Sequence, residues 1–432
     1  MATMTLVLIV VFFLLLATNV PIAIAIALAT LATLLLTIDA LPAVTTIAQR
    51  VAAGMDSFAL LAIPFFILSG YIMGQGGIAR RLIDFALAIV GKLPGGLAFV
   101  NVIACALFGS ISGSAVAATS AIGGFMVPAM EKAGYPRSFS TAVTVTASTT
   151  GMLIPPSNIL IVYSLASGGV SIAALFIAGY LPGILVALAL MVAAALYLKA
   201  QGISTRQAIE PVPLMKGIVG ALPSLIMIVL VIGGIILGWF TPTEAGAIAV
   251  LYSLALAVGL YREIRWADLA GILNKSVSTT AIVMLLIGAS AAMSWLLSYA
   301  TLPQQISEAL LAVTENPILI LLIINLLLLV IGTFMDMTPA VLIFTPILLP
   351  VAESLGLSPL HFGIMMILNL SIGLCTPPVG SVLFVGCSVG KTSIASLIRP
   401  MLPLYLAMLV ALVLVTLFPS ISEWLPAQLG LI

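Results

Sequence analysis

Two octets of this chain are variants of one another: GMLIPPSN at 151–158 and GLCTPPVG at 373–380, each set in a long apolar run. A proline pair removes backbone donors and clashes with the preceding turn, so a helix cannot run through it undisturbed. In lipid no water satisfies the carbonyls and amides thus exposed, and such a break persists only where it is buried in protein or lines a cavity. Both segments are therefore predicted to be helices interrupted at membrane depth.

The 222-residue offset between Pro155-Pro156 and Pro377-Pro378 extends beyond them. It sets Pro128 on Pro350, Glu131 on Glu353, Gly134 on Gly356 and Gly151 on Gly373, and one gap brings Gly109 onto Gly332. Toward the N-terminus it sets the break at 19–21 against that at 241–243. The chain reads as a duplicated unit, with a first repeat at 1–198, a cytoplasmic linker at 199–216 and a second repeat at 217–432. Paired interruptions in two halves are the strongest sequence pointer to a secondary carrier's binding site.

Hydrophobic residues make up 63% of the 432 residues and charged ones 6%, a proportion no soluble core can use. The predicted class is an all-α polytopic membrane protein embedded in the lipid bilayer. A net charge of +1 leaves no basic stripe for nucleic acid. Cys105, Cys375 and Cys387 form no CxxC pair and read as buried thiols. The chain is apolar from Thr5 and its first basic residue is Arg50, so the N-terminus reads as a retained span rather than a signal peptide.

At about 20 residues per crossing, spans are expected at 4–18, 20–37, 58–76, 138–164 and 170–198, then at 217–239, 243–261, 277–299, 361–389 and 400–418. Between the third and fourth span of each half lie two shorter apolar pieces around a polar hinge, 97–127 around GSISGS and 316–350 around GTFMDMT. Each pair is predicted to be a re-entrant hairpin. With 199–216 in the cytoplasm, all of the 14 basic residues except Arg50 lie inside, as the positive-inside rule requires. Five spans per half then invert the second repeat, oppose the two hairpins and leave both termini periplasmic. That is the architecture of alternating-access carriers.

The first hinge packs Ser110, Ser112 and Ser114 among Gly109 and Gly113. Glycine lets backbone carbonyls turn toward a ligand, and hydroxyls supply oxygen without charge. Gly151, the carbonyls near Ile154 and Pro155, Ser157 and Asn158 add to them, a hard-oxygen set suited to Na⁺. The competing reading is that small residues let helices pack closely. The second half offers Gly332, Thr333, Asp336 and Thr338, then Gly373, Thr376 and carbonyls near Val379. A carboxylate at mid-membrane costs about 2.5–3.5 kcal/mol on insertion scales unless partnered, so Asp336 is either coupled to an ion or substrate, or caps the helix that follows, or sits in a water-filled vestibule. No Lys or Arg falls at the predicted midplane, so an anionic substrate would be held by half-helix N-termini, hydroxyls and bound cations. Thr150, Asn158, Thr338, Gly380 and Ser381 are the candidates for that contact. Arg50 either steers an anion, docks a partner or anchors 41–56 at the headgroups. His361 reads as a packing or surface residue near the outer face, and Glu244 as the cap of a helix starting near Ala245.

The breaks LIPPSN and CTPPVG, the stretch SFALLAIPFFILSGYIM at 57–73 and the turn GWFTPTEAGA at 238–247 together resemble the large membrane subunit of tripartite ATP-independent periplasmic (TRAP) transporters, over essentially the whole chain. The resemblance implies a Na⁺ symporter of the bacterial inner membrane that imports a C4-dicarboxylate, sialic acid or another sugar acid. It further implies delivery by a periplasmic substrate-binding protein, a small four-helix membrane subunit carried here as a separate chain, and an elevator mechanism in an ion-transporter-superfamily-like fold. The family's two sodium sites fall on Ser110, Ser114, Gly151 and Ile154, and on Gly332, Gly373, Thr376 and Val379. A proton-coupled or sodium-independent organic-acid carrier of a related type is the alternative. No HExxH, no Cys/His cluster and no nucleotide-binding GxxxxGK[ST] loop is present, which argues against an enzyme or an ATP-driven pump.

Overall fold

The computed structural model describes residues 2–203, 212–314 and 316–432, and among them every regular element is helical. Arg206, expected on the cytoplasmic side, lies outside the described residues. Among the described residues eight helical segments are long and apolar enough to cross a membrane, and shorter apolar helices accompany them.

The first half runs α1 Ala2–Ala17, α2 Ile22–Leu34, α3 Ala40–Met55, α4 Ala62–Gln75, α5 Ile78–Val90, α6 Gly96–Ser112, α7 Ala115–Lys132, α8 Arg137–Ser148, α9 Asn158–Ala166 and α10 Ile172–Ala200. The second runs α11 Leu214–Ile236, α12 Pro242–Leu254, α13 Leu269–Tyr299, α14 Leu302–Val313, α15 Pro317–Phe334, α16 Met337–Ser354, α17 Pro359–Leu374, α18 Ser381–Gly390, α19 Ile394–Leu417 and α20 Ser420–Gln428. Adding 222 to the bounds of α7 reproduces those of α16, and α10 and α19 start at the same offset. Local chemistry sets these ends. Pro242, Pro317 and Pro359 open helices at their first position, where the missing N–H is no loss. Gly134 and Gly356, with φ of 91° and 87°, close the matched pair α7 and α16 in the left-handed region.

The expected pattern needs correction at several points. Helices α3, α5, α14 and α20 were not anticipated, because they are amphipathic or short and carry no uniform apolar run. In α5 the buried residues Ile78, Leu82, Ile83, Ala86 and Leu87 form one stripe, while Arg80 is exposed. The expected span 277–299 is the C-terminal part of one 31-residue helix, α13. Cys105 and Cys375 are buried as expected, but Cys387 is only half-buried. The helix expected near Ala245 starts at Pro242 instead: Thr241 is its N-cap, and Glu244, in the first turn, closes a capping box with it, its backbone N–H donating to the Thr241 hydroxyl at 3.3 Å.

Two groups of helices emerge from the packing. In one, α2 and α3 lie on α13, α4 on α12 and α13, and α11 on α12. In the other, α6 packs on α7 and α8, α18 on α7 and α8, α15 and α16 on α17, and α10 on α19. The groups meet along a seam where α4 touches α6 and α9, and α13 touches α16. The amphipathic α5 bridges them, between α11 and α6.

Candidate functional site

Each half brings a helix end and a broken helix into backbone contact. A Cβ on Gly151 would stand 2.4 Å from Gly109 Cα, and one on Gly373 would stand 2.6 Å from Gly332 Cα. Only glycine allows two main chains so close, which explains the four glycines at paired positions. Buried amides fix these crossings from behind. Asn101 on α6 donates to the Thr144 hydroxyl of α8 at 2.7 Å. Asn325 on α15 donates to Thr416 at 3.1 Å and accepts from Asn369 of α17 at 2.7 Å. An amide in an apolar run has to find a partner helix; that signal was present in the sequence and was overlooked.

In the first half α6 continues to Ser112, and the turn is Gly113, with φ 61°, followed by Ser114. The hinge is therefore tighter than the six residues expected from composition, with Gly109 and Ser110 inside the last helical turn. Ser110 donates to the Leu107 carbonyl at 2.8 Å, and Ser114 caps α7 by accepting from Ala117 N–H at 3.2 Å. Both hydroxyls keep lone pairs free. The chain leaves α8 through a 3-10 turn at Thr149–Met152 and restarts at Asn158. Across this gap the Ser157 hydroxyl and the Asn158 side-chain carbonyl are buried without a hydrogen-bond partner. Thr150 spends its hydroxyl on the Ala147 carbonyl at 2.6 Å. Ile154 packs on α10, where a Cβ on Gly183 would come within 2.5 Å of it.

In the second half Asp336 occupies the N-cap position of α16, yet its side chain makes no capping hydrogen bond. Thr376 donates to the Ile372 carbonyl at 2.7 Å, and Gly380 N–H donates to the Thr333 carbonyl at 3.1 Å, tying break to hairpin. The restart falls at Ser381, whose hydroxyl is buried and unpartnered. Val379, near which carbonyls were expected to face a cation, sits in the turn before that restart and is 42% exposed.

The two hinges and the two restarts converge on one cavity of about 310 Å³ at the seam. Of the candidate residues it is lined by Ser114, Asn158, Asp336, Thr338 and Ser381. Ser110, Thr150, Gly151, Ile154, Ser157, Gly332, Gly373, Thr376, Val379 and Gly380 stand behind that wall or away from it. Tyr71 of α4 and Thr279 of α13, hydrogen-bonded to each other at 2.9 Å, form the opposite wall, and Gly70 lets α4 approach the Ser112 carbonyl. Sequence reasoning missed this wall because its two residues are remote in the chain. No lysine or arginine lines the cavity. Among the described residues no group of His, Cys, Asp or Glu is clustered to hold a metal.

A polytopic helical protein whose two broken helices turn unpaired polar groups into a cavity between two helix groups belongs to the class of membrane transport proteins. Residues 9–421 match the family described as tripartite ATP-independent periplasmic transporter, DctM component. The chain belongs to that family, whose members are permease subunits and not enzymes. It is 55% identical to the uncharacterized protein YgiK of Salmonella typhimurium over 96% of this chain and 95% of that protein. It is 40% identical to the sialic acid TRAP transporter large permease protein SiaM of Vibrio cholerae, over 88% of each chain. It is also 40% identical to the C4-dicarboxylate TRAP transporter large permease protein DctM of Pseudomonas aeruginosa, over 90% and 91%. Among solved structures, the YdaH transporter of Alcanivorax borkumensis superposes with a TM-score of 0.63 at 16% identity, covering 91% of this chain and 90% of that one, a likeness of fold.

Proposed function

We propose that the chain is the large permease of a sodium-coupled symporter that carries an organic acid across the bacterial inner membrane. The observation that carries this reading is the cavity where Asn158 and Ser381, 223 residues apart in sequence, each present an unpartnered buried polar atom. A buried polar atom without a partner costs about 1–3 kcal/mol, and a bound substrate repays it. The free amides at the starts of α9 and α18 add partial positive charge, which suits a carboxylate. Similar relatives are named for sialic acid and for a C4-dicarboxylate, and a carboxylate is what those two share.

Sodium fits at the two glycine crossings beside the cavity, where carbonyls and hydroxyls gather and Asp336 is the one charged side chain. Ser110, Ser114, Gly151, Ile154 and Ser157 supply the first set; Gly332, Asp336, Gly373, Thr376 and Val379 supply the second. Each net positive charge moved inward across 100 mV contributes about 2.3 kcal/mol, so cations in excess of substrate charge drive uptake without ATP. In this reading the chain is an inverted repeat whose opposed re-entrant hairpins and broken helices slide, as an elevator, past α1–α4 and α11–α13. A small membrane subunit and a periplasmic binding protein complete the system, and both termini face the periplasm.

Asp336 at the cavity supports one rival, a proton-coupled carrier. Proteoliposomes holding this chain and its small subunit, given labelled acids with the binding protein, decide between them. The sodium reading predicts uptake that needs an inward Na⁺ gradient. Uptake that follows a proton gradient and ignores sodium sinks it.

A further inference from the structure

A second cavity, of about 470 Å³, lies on the same seam. Three helices connect the two. On α9 the lining passes from Val162 in the first cavity to Leu165 in the second; on α13 from Leu286 to Ile287; on α16 from Thr338 to Leu342. Each step is at most about one helical turn, roughly 5.4 Å. The cavities are thus stacked, with apolar side chains between them.

The second cavity holds the one basic residue that the charge pattern leaves on the outer side. Arg50 places its guanidinium 5.1 Å from the centre of the Trp295 ring, and Trp295 stacks in turn on Tyr299. Neither ion pair found among the described residues involves Arg50. In the same lining, Ser290 of α13 is 3% exposed, and its buried hydroxyl has no hydrogen-bond partner. Ser294 and Ser298 continue the same face outward, Ser298 donating to the Ser294 carbonyl at 3.0 Å. A guanidinium over an indole and a buried, unpartnered hydroxyl line the same space, which suits an acceptor-only anion. The aromatic stack holds the guanidinium in place without neutralising it.

We propose that this cavity is an outer antechamber, in which Arg50 and Ser290 bind the carboxylate of the transported acid before it passes between α9, α13 and α16 to Asn158 and Ser381. The inference rests on the organic-acid reading above but concerns a different site. Arg50 then acts as an entry ligand rather than as a headgroup anchor.

The test is protection of Arg50 from p-hydroxyphenylglyoxal, read by mass spectrometry on the full chain with its small subunit in nanodiscs, at constant ionic strength. Succinate and N-acetylneuraminate are the probes and succinamide the neutral control. The expected result is that one acid slows Arg50 modification about tenfold at ten times its half-protecting concentration, while succinamide does nothing. Ser290→Ala should raise that concentration about tenfold, the factor of a lost hydrogen bond to a charged group. Asn158→Ala should leave it unchanged while lowering uptake. Protection by neither acid, equal protection by succinamide, or indifference to Ser290→Ala overturns the antechamber. Protection without uptake under any gradient leaves the antechamber standing and removes the carrier reading instead.

Discussion

The two proline breaks share a backbone plan and differ in what surrounds them. In the first, Pro155, Pro156 and Ser157 are buried, and α10 presses on the break through Gly179 and Gly183. A Cβ at Gly179 would lie 2.0 Å from the Leu153 carbonyl oxygen. In the second, Pro378 and Val379 are exposed, and the residue of α19 matched to Gly183 is Tyr405, whose hydroxyl donates to the Cys375 carbonyl. One break is clamped by shape and the other by a side-chain hydrogen bond. Duplication fixed the frame, while the packing of each half decided how rigid and how wet its polar gap became. The first gap is the better shielded, and the second the more open to exchange.

The largest effects should come from the shared frame. Gly151→Ala and Gly373→Ala each drive a Cβ into backbone rather than into a movable side chain. Overpacking of that kind typically costs about 1–3 kcal/mol or more. Both variants are expected to lose uptake with a lowered melting temperature, and a silent substitution in one half would break the equivalence of the crossings. Next come the cavity residues. Asn158→Ala and Ser381→Ala should each weaken apparent substrate affinity about tenfold with little change in melting temperature, measured as the half-saturating acid concentration in proteoliposomes.

A smaller effect separates the halves. Tyr405→Phe removes the hydroxyl on the second break, at a cost of about 1 kcal/mol, and should shift sodium dependence while sparing the first half. Gly183→Ala strikes the first break alone, where a Cβ meets Ile154. If the two variants change sodium dependence identically, the contrast drawn between the breaks fails.

The smallest effect is on α5, the bridge between helix groups. Burial pushes the Asp84 carboxyl above its ordinary range, partly offset by Arg80, Lys216 and Arg81. A carboxyl with a raised folded-state pKa favours folding only while protonated, and that contribution is lost as pH rises through the raised value. Asp84→Asn should therefore be slightly more stable than the parent at neutral pH and no more stable in acid, as melting curves across pH would show. The partly exposed site and its cationic neighbours keep the gain small.

Much of this frame was legible in the chain. Proline pairs and glycines carry backbone consequences wherever they fall, so the breaks and the Gly109 and Gly332 pairings could be read without coordinates. Amphipathic helices such as α5 were lost against the apolar background, because the eye for a membrane span is an eye for uniform hydrophobicity. Hydroxyl-rich turns were legible as polar hinges but not in detail: Ser114 and Asp336 sit at helix starts on the cavity wall, a placement that composition alone does not fix. The Tyr71 and Thr279 wall was out of reach, since only tertiary packing joins α4 to α13.

The central claim is that each glycine crossing holds a sodium ion behind one shared cavity. A cation that binds only the folded chain raises its melting temperature with concentration, so the direct measurement is thermal unfolding of the purified chain titrated with Na⁺ against K⁺. Parallel titrations would use Ser110→Ala for the first crossing and Thr376→Val for the second. The account predicts stabilisation by Na⁺ and not K⁺, diminished by either variant. A melting temperature that treats the two cations alike would contradict it.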